Sequence, residues 1–225
     1  VHQAADEDLV VALTTFAPVS ASRNPDSDKL RQADLLPVGS AAKNEFTTAM
    51  ELTGGYLSSD HAGADLLSVL NGQSELTLEI VLSTAKADQS GPARIVALAD
   101  DGQSANLVLA QEGSELVFRL QTTAGKELQE LRIASGNLQQ PTHLAVTYRE
   151  GALTVYRDGV EVKTIEAAQG SFVWREGPLT IGADASGMSN WLGTVEALAI
   201  HGRSLDSDEI ARNARAYRLL SKNSK

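Results

Sequence analysis

The chain has 225 residues, 42% hydrophobic and only 4% aromatic, with a formal net charge of −10 and a pI near 4.8. So acidic a balance argues against a nucleic-acid backbone or an anionic membrane as partner, since both need a basic face. The absence of cysteine removes thiol catalysis, disulfides and thiolate metal sites, and no apolar run reaches the roughly 18 residues of a membrane-spanning helix.

The hydrophobic fraction supports a real core, and the length fits one large all-β domain or two small domains. The chain opens on Val1, so it is expected to be a processed or cut chain from which any signal peptide would have been lost. "DEDLVVALTTF" (6–16) holds one β-rich run. Residues 17–46, rich in Ser, Asp, Asn, Pro and Ala, read as a long irregular connection with a helical turn near Leu30 to Leu36. Loops of that length are usually functional or mobile.

From residue 46 onward, short strands are expected to follow one another. Gly54-Gly55 breaks a strand or turns a hairpin. In "SELTLEIVLST" (74–84), Leu76, Leu78, Ile80 and Leu82 fall on one face, with Thr77 and Glu79 on the other. "ARIVALAD" runs into a turn at Asp101-Gly102, and residues 105–123 form a hairpin with Glu112-Gly113-Ser114 at its tip. Residues 142–165 give three strands that turn at Glu150-Gly151 and Asp158-Gly159. An Asp-Gly pair suits a two-residue turn because both residues tolerate positive φ. "GPLTIGAD" and "WLGTVEALAIHGR" add two more strands.

A helix is expected over 206–220. Asp206 is its N-cap and Glu209 completes a capping box. Ile210, Ala214 and Tyr217 share a face, and Arg212, Arg215 and Arg218 form a solvated one. Many short strands with Gly-containing turns, and no strand–helix alternation, predict an all-β fold: a two-sheet antiparallel sandwich forming one domain over 1–225.

"AMELTGGYLSS", "HLAVTYREGALTVYRDGVEV", "LTIGAD" and "WLGTVEALAIHGRSLDSDEIA" occur in that order. This succession resembles the laminin-G-like branch of the concanavalin A-like lectin/glucanase superfamily, in the form found in bacterial exported proteins. Ala145 to Tyr148 and Leu153 to Gly159 match the family's A-V-T-Y…L-x-V-Y-x-D-G. Gly193, Val195, Glu196, Leu198 and Ile200 match its G-x-I-D-E-V-x-I-Y. The resemblance covers about residues 9 to 217. It implies a jelly roll with a short C-terminal helix on its edge, and an N-terminal run, 9–16, paired with strands from the C-terminal half.

The function it implies is recognition, by an exported noncatalytic module that binds a glycan or a protein partner and belongs to a larger multidomain protein. A structural subunit or docking domain of a larger assembly is the alternative, and a glycoside hydrolase or polysaccharide lyase is a third reading. Glycan hydrolysis uses two carboxylates, about 5 Å apart in retaining enzymes. The E-x-D-x-x-E pattern of the family's glucanases is absent, and Glu127 and Glu130 fall on opposite faces of a strand. His143 and Tyr148 likewise have opposite parity, against a lyase pairing.

The resemblance also implies one structural calcium ion, which takes several hard oxygen ligands. Glu196 stands at the family's Asp position, and Asp100, Asp101 and Asp184 lie in loops after strands. Sugar contact is expected from Trp174 and Trp191, both in turn-rich stretches, with Asp184 and Asn190 beside them. Trp191 also occupies a position where the family places a core residue, while Trp174 is the expected anchor. His2, His61, His143 and His201 are dispersed, without the spacing of a zinc site. A packed or half-exposed histidine is the expectation for His201.

Overall fold

A computed structural model describes residues 9–13, 35–43, 49–102, 104–124, 129–135, 138–166 and 169–223. In chain order it contains β1 (Leu9–Leu13), β2 (Leu36–Val38), β3 (Ala41–Lys43), β4 (Met50–Leu52), β5 (Tyr56–Ser59), α1 (Asp60–Leu70), β6 (Glu75–Thr84) and β7 (Gln89–Leu98). There follow β8 (Leu107–Gly113), β9 (Glu115–Leu120), β10 (Gln129–Ser135), β11 (Thr142–Arg149), β12 (Ala152–Arg157), β13 (Val160–Glu166), β14 (Leu179–Ile181), β15 (Gly193–His201) and α2 (Ser207–Asn223).

The strands form two antiparallel sheets. The first runs β13-β12-β11-β6-β15-β4-β3, with β1 also paired to β15; the second runs β10-β9-β8-β7-β14-β5-β2. The alternation in β6 turns Leu76, Leu78, Ile80 and Leu82 inward, beside Leu144, Val146 and Tyr148 of β11 and Leu198 and Ile200 of β15. Facing them across the sandwich are Ile95, Leu109, Phe118, Leu179 and Ile181, all buried. This is the expected two-sheet jelly-roll sandwich. The N-terminal run pairs as expected, Leu13 opposite Leu198 and Ala12 opposite Ala199. At the Asp158-Gly159 turn φ is +54° and +83°, so both residues take the left-handed conformation that a tight hairpin demands.

Three local expectations are corrected. The connection over 17–46 is not irregular throughout, because it supplies β2 and β3; the expected helical turn lies partly outside the described residues, and Leu36 is in a strand. Of its two expected roles, Gly54-Gly55 takes the first: it breaks the strand and does not turn a hairpin. It carries the chain from β4 in the first sheet to β5 in the second, alongside the Gly39-Ser40 turn that carries it from β2 to β3. The crossings touch so closely that a Cβ on Gly55 would sit 2.3 Å from the Ala41 nitrogen.

The third correction is an unanticipated helix, α1. Ser59 is its N-cap and accepts a hydrogen bond from the Ala62 N–H at 3.0 Å. Ala62, Leu66 and Leu70, four residues apart, are its buried stripe, and all three join the core. Gly63 lets α1 meet the chain near Gly177, whose carbonyl oxygen would lie 2.1 Å from a Cβ. Gly177 in turn lies against Ala99, 2.6 Å from that residue's Cβ if it carried one of its own.

The C-terminal helix has its capping box: the Glu209 N–H donates to Asp206 Oδ1 at 2.8 Å, and the Asp206 N–H to Glu209 Oε2 at 3.0 Å. It lies on the outer face of the first sheet, where Ile210 packs with Ala145, Tyr156 and Leu205. Two sheet edges carry distinctive chemistry. In β2, Pro37 sits between the exposed Leu36 and Val38; in β13, Glu161 and Lys163 alternate with the exposed Val160 and Val162.

Candidate functional site

Most of the sequence-nominated residues gather on one part of the sandwich, around the end of β7 and the loop after β14. Arg94 of β7 is the centre. Its Nε donates to Asp100 Oδ2 at 2.5 Å, with both side chains almost fully buried. The Asp100 Oδ1 accepts from the Gly102 N–H at 2.9 Å, and the Asp100 carbonyl accepts from the Ala185 N–H at 2.9 Å. Burying one of these charges alone would be costly, so the pair, with its added hydrogen bonds, acts as a clasp between two loops.

Asp184 is spent within its own turn. Its Oδ1 accepts from the Ser186 N–H, the Ser186 hydroxyl and the Met188 N–H at 3.0, 2.6 and 2.9 Å. Asn190 forms a bridge with Arg94 and donates from Nδ2 to the Gly187 carbonyl at 2.9 Å. Asp101 accepts from the Ser104 N–H and the Arg175 guanidinium, both at 2.9 Å. Arg175 also donates to the carbonyls of Ala99 and Ser104, which ties the 171–178 segment to this loop.

Neither tryptophan is a surface platform. Trp174, expected as the exposed anchor, is only 6% exposed. Its ring stacks on Phe172 at 4.7 Å, and its Nε1 donates to the Gln121 carbonyl at 3.0 Å. The reason is an extended segment in which Phe172 and Trp174 point inward and Val173 and Arg175 outward. Trp191 is fully buried and donates from Nε1 to Gln111 Oε1 at 3.0 Å, inside a polar cluster with Gln89.

The calcium ligands suggested by the sequence do not fit such an ion. Glu196 lies in the first sheet, at the bulge between Val195 and Ala197. Asp100 faces a buried guanidinium, and Asp101 is held by a second arginine. A cation would have to displace those positive charges. Among the described residues no group of three His, Asp or Glu side chains is placed to hold a metal. Calcium held through Asp100 or Asp101 would have to break these arginine pairs, so no rise in melting temperature with added calcium is expected from these two residues. A rise with calcium in a thermal scan would contradict this arrangement.

Beside the clasp lies a groove of about 760 Å³, lined by Asp60, Ala64, Leu67, Ser68, Asn71, Glu176 and Gly177. One wall is α1 and the other is the 171–178 segment, fixed where Gly63, Gly177 and Ala99 stack backbone to backbone. Asn71 braces both walls, its Oδ1 accepting from the Trp174 N–H at 3.1 Å. The sequence reading missed this groove because it missed α1.

It also missed a polar cluster on the outer face of the first sheet. Glu79, read as a residue of the polar face, is 1% exposed. It accepts from His143 Nε2 and His201 Nε2, each at 3.1 Å, and from Asn213 Nδ2 at 2.8 Å. Burial alone would raise its carboxyl, but the hydrogen bonds from His143 and His201 more than offset this and hold it down at about 2.

Residues 54–211 match the Laminin G 3 family model, described as the concanavalin A-like lectin/glucanases superfamily. No curated protein shows significant similarity to the sequence. Among solved structures, the binding domain of botulinum neurotoxin DC in complex with rat synaptotagmin II is similar in fold, with a TM-score of 0.70 at 12% identity over 94% of this chain and 52% of that one. A structure of botulinum neurotoxin type C, whose cell entry is described as dependent upon interaction with two ganglioside molecules, gives a TM-score of 0.69 at 13% identity, covering 94% and 51%. The chain thus spans about half the length of the structures it resembles, and at these identities the likeness is one of fold. With the matched region covering most of the sandwich and both sheets in place, the chain belongs to the concanavalin A-like lectin/glucanases superfamily, in its laminin-G branch.

Proposed function

We propose that this chain is a noncatalytic recognition module of an exported, multidomain protein, and that it binds a glycan or a protein segment in the groove between α1 and the 171–178 segment. One observation carries the reading: a groove of about 760 Å³ with carboxylate, hydroxyl and amide groups on its walls and an apolar strip at Ala64 and Leu67. That is within the usual size of a ligand pocket, about 300–1,000 Å³, and its mixture of polar and apolar lining suits a ligand that is itself amphipathic. The rigid clasp behind it supports the reading, since a preformed site loses less entropy on binding. The solved structures of similar fold include a neurotoxin binding domain in complex with synaptotagmin II and a neurotoxin whose cell entry depends upon interaction with two ganglioside molecules.

Ala64 is exposed on the groove wall and away from the core, so Ala64→Trp fills the groove without disturbing packing. Ligands captured by the wild type on a glycan array, or copurifying from the source organism, are expected to bind this variant at least about tenfold more weakly, at an unchanged melting temperature. Equal binding by the variant would move the site away from the groove.

A further inference from the structure

The C-terminal helix is joined to the sandwich by a buried polar cluster that the groove does not use. Glu79 comes from β6, His143 from β11 and His201 from β15, three adjacent strands. From α2, Asn213 donates to Glu79 Oε2 at 2.8 Å, and the Tyr217 ring stacks on His143 at 5.5 Å between centroids. The helix is thus tied through a carboxylate that also serves both imidazoles.

Each histidine turns Nε2 toward Glu79, and the Nδ1 of each is buried with no hydrogen-bond partner among the described residues. A neutral ring that donates through Nε2 leaves Nδ1 as a bare acceptor. A second proton turns Nδ1 into an N–H donor with nothing to receive it, and a buried unpaired donor carries the full desolvation penalty. Two imidazolium rings would also share one carboxylate, leaving a positive charge without a counterpart. The charged groups around the helix are engaged elsewhere: Arg203 with Glu209 at its start, and Arg218 with Asp158 at the β12–β13 turn. Tyr156, on β12, has Glu161 and Asp206 as its charged neighbours, and Arg212 and Arg215 are exposed.

We propose that α2 is an acid-released latch: proton uptake by His143 and His201 detaches the helix from the outer face of the first sheet while the two-sheet core stays folded. Histidine is the side chain suited to a charge change between about pH 5 and 8. Glu79 remains an anion throughout that range. The helix can leave separately because its apolar contact with the sheet, Ile210 with Ala145, Tyr156 and Leu205, is a cluster distinct from the core between the sheets. Release bares Tyr156 and both imidazoles, a surface that exists only in acid.

Amide hydrogen exchange at pH 7.5 and pH 5, corrected for intrinsic rates, tests this. Protection of residues 207–218 is expected to fall at least about tenfold further than that of β6 and β11. Helix and strands that hold or lose protection together would overturn the latch. The double variant His143→Gln, His201→Gln keeps a side-chain N–H donor for Glu79 but cannot titrate. Its helix is expected to lose this pH response, and a response equal to wild type would also overturn the proposal. Should the double variant not fold, the comparison of helix with strands in the unaltered chain still decides.

Discussion

Trp174→Ala is expected to destabilise the domain by about 3–5 kcal/mol, the range for deleting a large buried aromatic side chain. The ring is nearly all removed from solvent, stacks on Phe172, and through Phe172 reaches Tyr148 near the end of β11. Removing it opens a cavity and leaves the Gln121 carbonyl without its indole donor. The segment also forms one wall of the groove, but the ring points away from it. Urea melts of the variant should show the loss, while ligand affinity, measured where the variant is still folded, should stay within about threefold of wild type. A variant with wild-type stability and lost binding would put Trp174 back among the contact residues.

Glu79→Gln is expected to cost on the order of 3 kcal/mol at pH 7 and progressively less in acid. The folded carboxyl titrates at about 2 against an ordinary 4.5, a difference of about 2.5 units at about 1.4 kcal/mol each. A depressed carboxyl stabilises the fold above its unfolded pKa. In acid the loss has two parts: release of α2 takes away the Asn213 bond, and protonation of the carboxyl, from about pH 5 down toward 2, removes the remainder. Glutamine keeps an oxygen acceptor but lacks the charge that strengthens the bonds from His143, His201 and Asn213. Denaturant melts at pH 7, 5 and 3 should therefore show the two proteins converging. A gap that stays constant over this range would mean that the carboxylate's charge is not what holds the cluster.

How much was legible follows from how local each signal is. The β11–β12–β13 meander could be read because its register is fixed by two glycine turns within a run of 24 residues, 142–165. The capping box of α2 needs only Asp206 and Glu209. Helix α1 had the spacing of Ala62, Leu66 and Leu70, but Gly63 sits inside that run and glycine is a poor helix former. Phe172 and Trp174 were open to the same test of alternation that identified β6, yet the surrounding Gly and Ser pointed to a rim loop. The Glu79 cluster was out of reach. It joins residues 64 and 122 positions apart, and it depends on a register that places Ala145 and Ala199 directly opposite Glu79. Those two alanines leave the room that Asn213 and Tyr217 of α2 fill. A small residue on the polar face of a strand was the one local hint.

The chemistry of β2 and β13 bears on how copies of this domain behave when held close together. An open sheet edge offers a row of N–H and C=O groups to any passing strand, and chains in tandem or packed on a surface meet such edges at high local concentration. In β2, Pro37 has no N–H to offer, which interrupts the row between Leu36 and Val38. In β13, Glu161, Lys163 and Glu166 place charges along the edge, and a parallel copy in register would set each against its like. These two edges therefore resist zipping up with a neighbour, so the domain can be crowded without its copies fusing there into a continuous sheet.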